Sequence, residues 1–123
     1  MKTAVILLAH GTKEPEASVP VHDYAERLRR ETGLQVEPCL REFIEPSVPT
    51  VVGKLVGEGV EKIFVVPFFL FKSGHVIRDI TDDLESEKKK YSHVRFVVGE
   101  PLGFDELLVS LLKKRLNEVV ERP

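Results

Sequence analysis

The stretch "TAVILLAHG", residues 3–11, decides the fold class of this chain. Its first seven residues carry no charge, and such an apolar run is typical of a strand that is covered on both faces of a parallel sheet. The run stops at His10 and Gly11, so a titratable side chain and a residue suited to tight turns stand where the strand ends. The stretch therefore predicts a buried parallel strand with a candidate functional group at its carboxyl end.

Three further apolar runs alternate with helical segments along the chain. The runs are "LQVEPCL" (34–40), "KIFVVPFFL" (62–70) and "VRFVVGE" (94–100). Apolar residues recur at helical spacing in the segments 15–32, 45–59, 76–90 and 104–120. The order β-α-β-α-β-α-β-α predicts one α/β domain over residues 1–123, with helices on both faces of a four-stranded parallel sheet.

Pro38 bears on the place of the second strand in the sheet. A proline inside this run denies the sheet one backbone donor, which favours an edge position. An edge is where the second strand of the expected 2-1-3-4 sheet lies. In such sheets ligands bind beyond the carboxyl ends of the strands, where the strand order reverses. That point lies between the first and third strands, and His10 follows the first while His75 follows the third. We therefore expect the two histidines to face one crevice.

Composition excludes several classes of function. Eighteen basic and twenty acidic residues give a net charge of -2, so no overall field attracts nucleic acid or an anionic membrane surface. No apolar run is long enough to cross a bilayer, and the cytoplasm is the expected location. Neither a G-x-G-x-x-G nor a G-x-x-x-x-G-K-[ST] motif is present, which removes the usual support for dinucleotide or Walker-type phosphate binding.

Two histidines across a crevice suit either metal binding or proton transfer. Neutral imidazole is a common metal ligand and accepts a proton near neutral pH. Gly11 and Gly74 carry no Cβ and allow a bulky ligand to approach closely. The aromatic residues beside His75 offer a flat apolar wall, but alternate ones must pack into the core, so which of Phe68, Phe69 and Phe71 face the crevice stays open.

Four segments then point to a known family. "LLAHGTK" (7–13), "REFIEPSV" (41–48), "VVPFFLFKSGHV" (65–76) and "RDI" (78–80) resemble, in order and spacing, the small sirohydrochlorin chelatases, the short anaerobic-type cobaltochelatases. The resemblance covers nearly two-thirds of the chain. It departs from the family pattern at Thr12, where serine is usual, and at Thr81, where proline usually follows the Asp-Ile pair.

The resemblance implies a chelatase-like fold that inserts Co²⁺ into sirohydrochlorin, a tetrapyrrole, with no permanently bound cofactor. It implies that His10 and His75 are the metal ligands and bases and that Glu42 assists in metal delivery or proton removal. Fe²⁺ or Ni²⁺ insertion is an alternative, since imidazole and carboxylate discriminate weakly among these metals. A non-catalytic metal or tetrapyrrole carrier is a second alternative.

The substrate suggests further binding residues. Sirohydrochlorin carries many carboxylates, so three basic residues near the motifs are candidates for ion pairs at its edge, with ordinary surface charge an equal alternative. The full set of expected substrate contacts is Gly11, Lys13, Arg41, Phe69, Phe71, Lys72 and Gly74. The resemblance also implies a homodimer, because family members of this length look like one half of longer, two-lobed chelatases.

Overall fold

The four apolar runs form four strands in the computed structural model, which describes residues 1–120. The strands are β1 (Thr3–Ala9), β2 (Val36–Leu40), β3 (Lys62–Pro67) and β4 (Arg95–Val98). All neighbours pair in parallel, and their order is β2-β1-β3-β4. The predicted α/β fold, with its 2-1-3-4 sheet, is therefore confirmed.

Each strand is followed by a helix, and local sequence signals set the helix ends. The helices are α1 (Val19–Thr32), α2 (Val48–Gly57), α3 (Gly74–Lys90) and α4 (Glu106–Val120), with a short 3-10 helix at Pro15–Ser18 ahead of α1. The side chains of Ser47 and Ser73 accept backbone N–H bonds at the starts of α2 and α3, which satisfies donors that a helix leaves free. Gly33 ends α1 at a φ of 72°, a left-handed conformation that glycine adopts without strain.

Two apolar clusters lie on opposite faces of the sheet. Helix α1 covers one face through Val21 and Ala25, which pack against Val5, Leu7 and other residues of β1 and β2. Helices α2 and α3 cover the opposite face, where the buried residues are Ala4, Ile6, Leu8, Cys39, Val48, Val51, Val52, Leu55, Ile63, Val65, Ile80 and Leu84. Alternate residues of β1 thus enter different clusters, which explains why its whole sequence is apolar.

Strand β2 is an edge strand, as Pro38 predicts. The N–H of Arg41 donates to the carbonyl of Ala9 on β1, whereas the N–H of Leu40 points the other way and donates to the carbonyl of Pro46. Pro38 has the same parity as Leu40, so its nitrogen lies on the outer side of the sheet. The proline therefore costs the sheet no hydrogen bond.

Helix α4 departs from the expectation of a helix that buries its leucine face on the sheet. It has no buried residue, and it packs along no strand or other helix within residues 1–120. On the sheet face that α1 occupies, Val66 and Val97 are exposed and Phe64 is half-buried. One apolar helix face and one half of a sheet face are thus both uncovered in the single chain.

Within the described residues, the helices are all too short or too polar to cross a membrane.

Cys39 is completely buried. Burial raises the pKa of its thiol to about 12, with the nearby carboxylates of Asp83 and Glu45 adding to the shift. This agrees with its interpretation as a small apolar core residue.

Candidate active site

His10 lies beside Glu42 because the backbone pairing continues beyond the ends of β1 and β2. The N–H of Glu42 donates to the carbonyl of His10 over 2.9 Å, one step past the bond from Arg41 to Ala9. This alignment leaves the imidazole Nε2 of His10 3.2 Å from the carboxylate Oε2 of Glu42. The side chain of His10 is 58% exposed, so the pair faces solvent at the carboxyl end of the sheet.

Gly11 is required by the same close approach. Its φ is 107°, and a Cβ at this position would lie 2.0 Å from the carbonyl oxygen of Glu42. No side chain fits that space without moving the backbone that carries Glu42. Glycine is thus required at position 11 because the backbone of Glu42 occupies the space that a side chain would need.

His75 lies in the first turn of α3, whereas the sequence pattern predicts a helix that begins just after it. Ser73 caps this helix through a 3.1 Å bond from the N–H of Val76. Asp79 follows one turn after His75, and its Oδ2 lies 3.1 Å from the imidazole Nε2. His75 is 77% exposed, so each histidine has one carboxylate partner and an open side.

Arg41 connects the two histidine–carboxylate pairs. Its guanidinium lies 2.9 Å from Glu42, 3.6 Å from Asp79 and 2.8 Å from Asp83, and its side chain is only 16% exposed. A continuous series of close polar contacts therefore runs from His10 through Glu42, Arg41 and Asp79 to His75. Arg41 lies at its centre, and the reach of both histidines to one metal ion stays a prediction.

The electrostatics of this series follow from burial and charge. Burial lowers the pKa of Arg41, but the carboxylates of Asp83 and Asp79 outweigh it, so the net direction is upward. Burial raises the pKa of Asp83, and the charge of Arg41 opposes that rise. Arg41 thus stays fully charged, and its guanidinium is already paired with carboxylates of its own chain. These ion pairs leave few donors of Arg41 for the substrate carboxylate that it is expected to bind.

The two histidines do not belong to a preformed metal cage. Across residues 1–120, no three side chains of His, Cys, Asp or Glu come together closely enough to hold one ion. The role of His10 and His75 as metal ligands therefore stays a prediction.

The other expected substrate contacts differ in their exposure and in their partners. Phe71 is 74% exposed, whereas Phe69 is half-buried against the core. Lys72 pairs with Glu100 at 2.8 Å. Gly74 begins α3 with open space where a Cβ would stand, so the chain itself does not require glycine there.

The sequence pattern does not single out Phe43. This residue has a φ of 77° and is exposed. Its ring meets that of His10 edge-on with centroids 6.1 Å apart, and the ammonium of Lys13 lies 5.3 Å from its centroid. Its position directly after Glu42 is the signal that could have placed it at the site, because consecutive loop residues share one location.

Comparison with known proteins agrees with this fold. A family described as CbiX matches residues 4–119. A sirohydrochlorin cobaltochelatase of Sulfurisphaera tokodaii is 37% identical over 94% of this chain and 92% of its own length. A sirohydrochlorin ferrochelatase of Priestia megaterium is 28% identical over 94% of this chain and 44% of its own length.

A solved structure shares the architecture. The sirohydrochlorin chelatase SirB of Bacillus subtilis subspecies spizizenii, in complex with cobalt, superposes with a TM-score of 0.89 at 26% identity, covering 97% of this chain and 51% of that one. The chain spans 38% and 44% of two curated relatives that are longer than it. The family match over nearly the whole chain decides the assignment: the chain belongs to the CbiX family, and its resemblance to the small sirohydrochlorin chelatases is confirmed.

Proposed function

We propose that the protein is a sirohydrochlorin cobaltochelatase, a lyase-type chelatase that inserts Co²⁺ into sirohydrochlorin for cobalamin synthesis by the anaerobic route. The observation that carries this proposal is the series of close polar contacts that links His10 and His75 through Glu42, Arg41 and Asp79. Insertion needs a base and a metal-holding group at one site, and this series supplies both.

Insertion exchanges one divalent ion for two protons on the ring nitrogens. His10 accepts ring N–H protons, and the carboxylate of Glu42, 3.2 Å away, stabilises the imidazolium that results. His75 holds the ion before transfer, and Asp79 orients its imidazole. The protons then pass to solvent, which reaches both exposed side chains.

Aromatic and basic residues around the histidines bind the tetrapyrrole. Phe71 and Phe43 present exposed rings to its flat surface, and Phe69, which packs against the core, adds the part of its ring that stays exposed. Lys13 and Lys72 pair with its carboxylates, and Gly74 allows it to approach the start of α3. Lys72 must exchange Glu100 for the substrate.

The protein acts as a homodimer. Both histidines are more than half exposed in the single chain, and one lobe leaves the substrate open to solvent. Relatives that contain about two chain lengths suggest that a second copy supplies the other wall of the cleft.

Cobalt is favoured over iron because the relative that matches along 92% of its length is a cobaltochelatase. Imidazole and carboxylate ligands hold Fe²⁺ and Ni²⁺ as well, and a ferrochelatase stands among the longer relatives. The metal is a substrate that leaves in the product.

A metal or tetrapyrrole carrier is the second candidate, because the open site with two histidines also suits the transfer of a cargo. The two functions differ in turnover. We expect absorbance changes of sirohydrochlorin with Co²⁺, Fe²⁺ and Ni²⁺ to show many metallated rings for each protein chain, fastest with Co²⁺. A yield that stops at one ring per chain would support the carrier, and a faster rate with iron or nickel would reassign the metal.

A further inference from the structure

Asp83 contacts Arg41 at a different atom from the other two carboxylates. Its Oδ2 lies 2.8 Å from Nε of Arg41. Glu42 and Asp79 instead contact the terminal nitrogens Nη1 and Nη2, over 2.9 and 3.6 Å. Because the guanidinium is planar and rigid, a partner at Nε restricts the plane in which both terminal nitrogens lie. Asp83 is therefore placed to orient the group that joins the two histidine–carboxylate pairs.

The ion pair between Arg41 and Asp83 is closed to water. Nε of Arg41 and Oδ2 of Asp83 are both buried, and within residues 1–120 neither atom has a further hydrogen-bond partner. Burial lowers the pKa of Arg41, but the nearby carboxylates outweigh it, and that of Asp83 contributes most to the rise. Each of the two charges thus depends on the other, since a buried charge without its partner is costly.

Helix α3 fixes the position of the Asp83 carboxylate. Ile80 and Leu84, which precede and follow Asp83 on this helix, are buried in the core. The long side chain of Arg41 comes from beyond the end of β2 and loses much rotamer freedom when it is held in one conformation. A carboxylate on a helix that is packed into the core is suited to hold it there.

We propose that Asp83 is a positioning residue for metal insertion, which holds the guanidinium of Arg41 where it reaches the carboxylate partners of both histidines. The inference rests on the proposed function and adds a residue to it. Asp83 acts on the histidines only through Arg41 and these partners. It touches neither the metal nor the tetrapyrrole in this role.

Loss of Asp83 should loosen the whole series of contacts. Nε of Arg41 then has no partner, and the terminal nitrogens are free to turn toward solvent or to keep only one of their two carboxylates. The two loops that carry the histidines are no longer held to each other. Fewer molecules then have both histidines correctly placed, and the loss of such a supporting contact commonly costs about 10- to 100-fold in activity.

Asp83→Asn tests this role, because it removes the charge and keeps the shape of the side chain. We expect the maximal insertion rate with Co²⁺ to fall at least about tenfold, while KM for sirohydrochlorin stays close to the wild-type value. Asp82→Asn removes the same charge at the neighbouring, exposed position. Glu87→Gln removes a buried carboxylate one turn further along α3. Both controls should keep the wild-type rate.

A double substitution separates positioning from a general loss of stability. If Asp83 acts through Arg41, Asp83→Asn should cause little further loss of rate in a chain that already carries Arg41→Met, because residues that act as one unit have non-additive effects. Circular dichroism confirms that each variant is folded at the assay temperature. A wild-type rate in folded Asp83→Asn, or an equal loss in both backgrounds, would overturn the positioning role and leave the proposed function standing.

The Nε–Hε signal of Arg41 tests the contact without any activity. A proton that is buried in an ion pair exchanges slowly with water, so a ¹H–¹⁵N spectrum of the arginine side chains should contain it, and its loss in Arg41→Met assigns it. We expect this signal to move or disappear in Asp83→Asn and to stay in Asp82→Asn. An unchanged signal in Asp83→Asn would overturn the positioning role by itself, whereas a wild-type protein that inserts no metal would overturn the proposed function.

Discussion

Arg41 Nη2 lies 3.6 Å from Asp79 Oδ1, so a residue that follows the edge strand contacts the carboxylate that holds His75. The same guanidinium contacts Glu42, the partner of His10. Two loops from different strands are thereby tied into one arrangement. This contact gives the sharpest test of whether the histidines work together.

Replacing Arg41 by Met should lower the insertion rate at least tenfold and destabilise the fold by about 1–3 kcal/mol, because three carboxylates lose their common partner. Arg41→Lys keeps the charge without the planar fork and should recover part of the rate. Arg30→Met is the control, since its pair with Glu26 is exposed and 3.9 Å long and should contribute little.

The insertion rate of the folded variant separates a positioning role for Arg41 from a purely structural one. Loss of Arg41 leaves Glu42 and Asp79 without their shared cation, so the carboxylates beside the two histidines lose their fixed positions and the insertion rate should fall even where the variant is fully folded. A folded Arg41→Met enzyme that keeps the wild-type insertion rate would contradict the positioning role.

Gly11→Ala should destabilise the protein more than Gly33→Ala. Both residues have positive φ, and that conformation costs an alanine about 1–2 kcal/mol. Gly33 has open space for a Cβ, whereas at Gly11 a Cβ would stand 2.0 Å from the carbonyl oxygen of Glu42. The added clash should cost a further ~1–3 kcal/mol and displace Glu42 from His10. Urea unfolding and insertion rates of the two variants check this, and equal losses would contradict it.

The two histidines should respond differently to metal concentration. His10→Ala should abolish insertion near neutral pH without restoration by excess metal, because the missing group is a base. His75→Ala should raise the metal concentration needed for half-maximal rate, and excess Co²⁺ should partly restore activity. Initial rates of both variants across a metal titration decide, and equal, metal-independent losses would show that the two residues act as one unit.

Glu45 should make stability depend on pH in the acid range. The N–H of Ser47 donates to its carboxylate over 2.8 Å, and this bond lowers its pKa below the ordinary value of 4.5. A carboxylate with a lowered pKa in the fold stabilises the protein above the unfolded pKa and loses that effect as pH falls through the folded pKa. The difference in Tm between wild type and Glu45→Gln should therefore be largest above pH ~5 and shrink in stronger acid. A difference that stays constant down to that acid range would contradict the prediction.

Cys39 should react with thiol reagents only when the protein unfolds. It is completely buried, and its pKa is raised to about 12, so almost no thiolate forms at pH ~8. Ellman's reagent should show slow labelling that accelerates with urea in parallel with unfolding. Rapid labelling of the native protein would contradict the burial of this residue.

The fold was predictable because the pattern in this chain is local and repeated. The run at β1 is apolar throughout because its alternate residues enter two different clusters, and Pro38 indicated the edge correctly. The position of α4 was not predictable, since apolar residues at helical spacing predict an apolar helix face but not where that face lies.

The site was predictable in its histidines and less so in what surrounds them. His10 and His75 follow strands whose carboxyl ends share an edge, and topology alone brings such residues together. The role of Arg41 depends on three carboxylates, two of them on α3, and no spacing in the sequence reveals contacts between distant segments. Phe43 was missed because its exposed ring follows no helical or strand periodicity.

Because of Pro38 and Leu40, the two edges of the sheet differ in their ability to pair with a further strand. Along β2 the outward positions are Val36, Pro38 and Leu40, of which the proline has no N–H and the leucine donates to Pro46. An incoming strand from another molecule would find one donor where three are needed. Pairing of β2 with a strand of another molecule, as in cross-β aggregates, is thus blocked. Any strand added to this sheet must pair with β4.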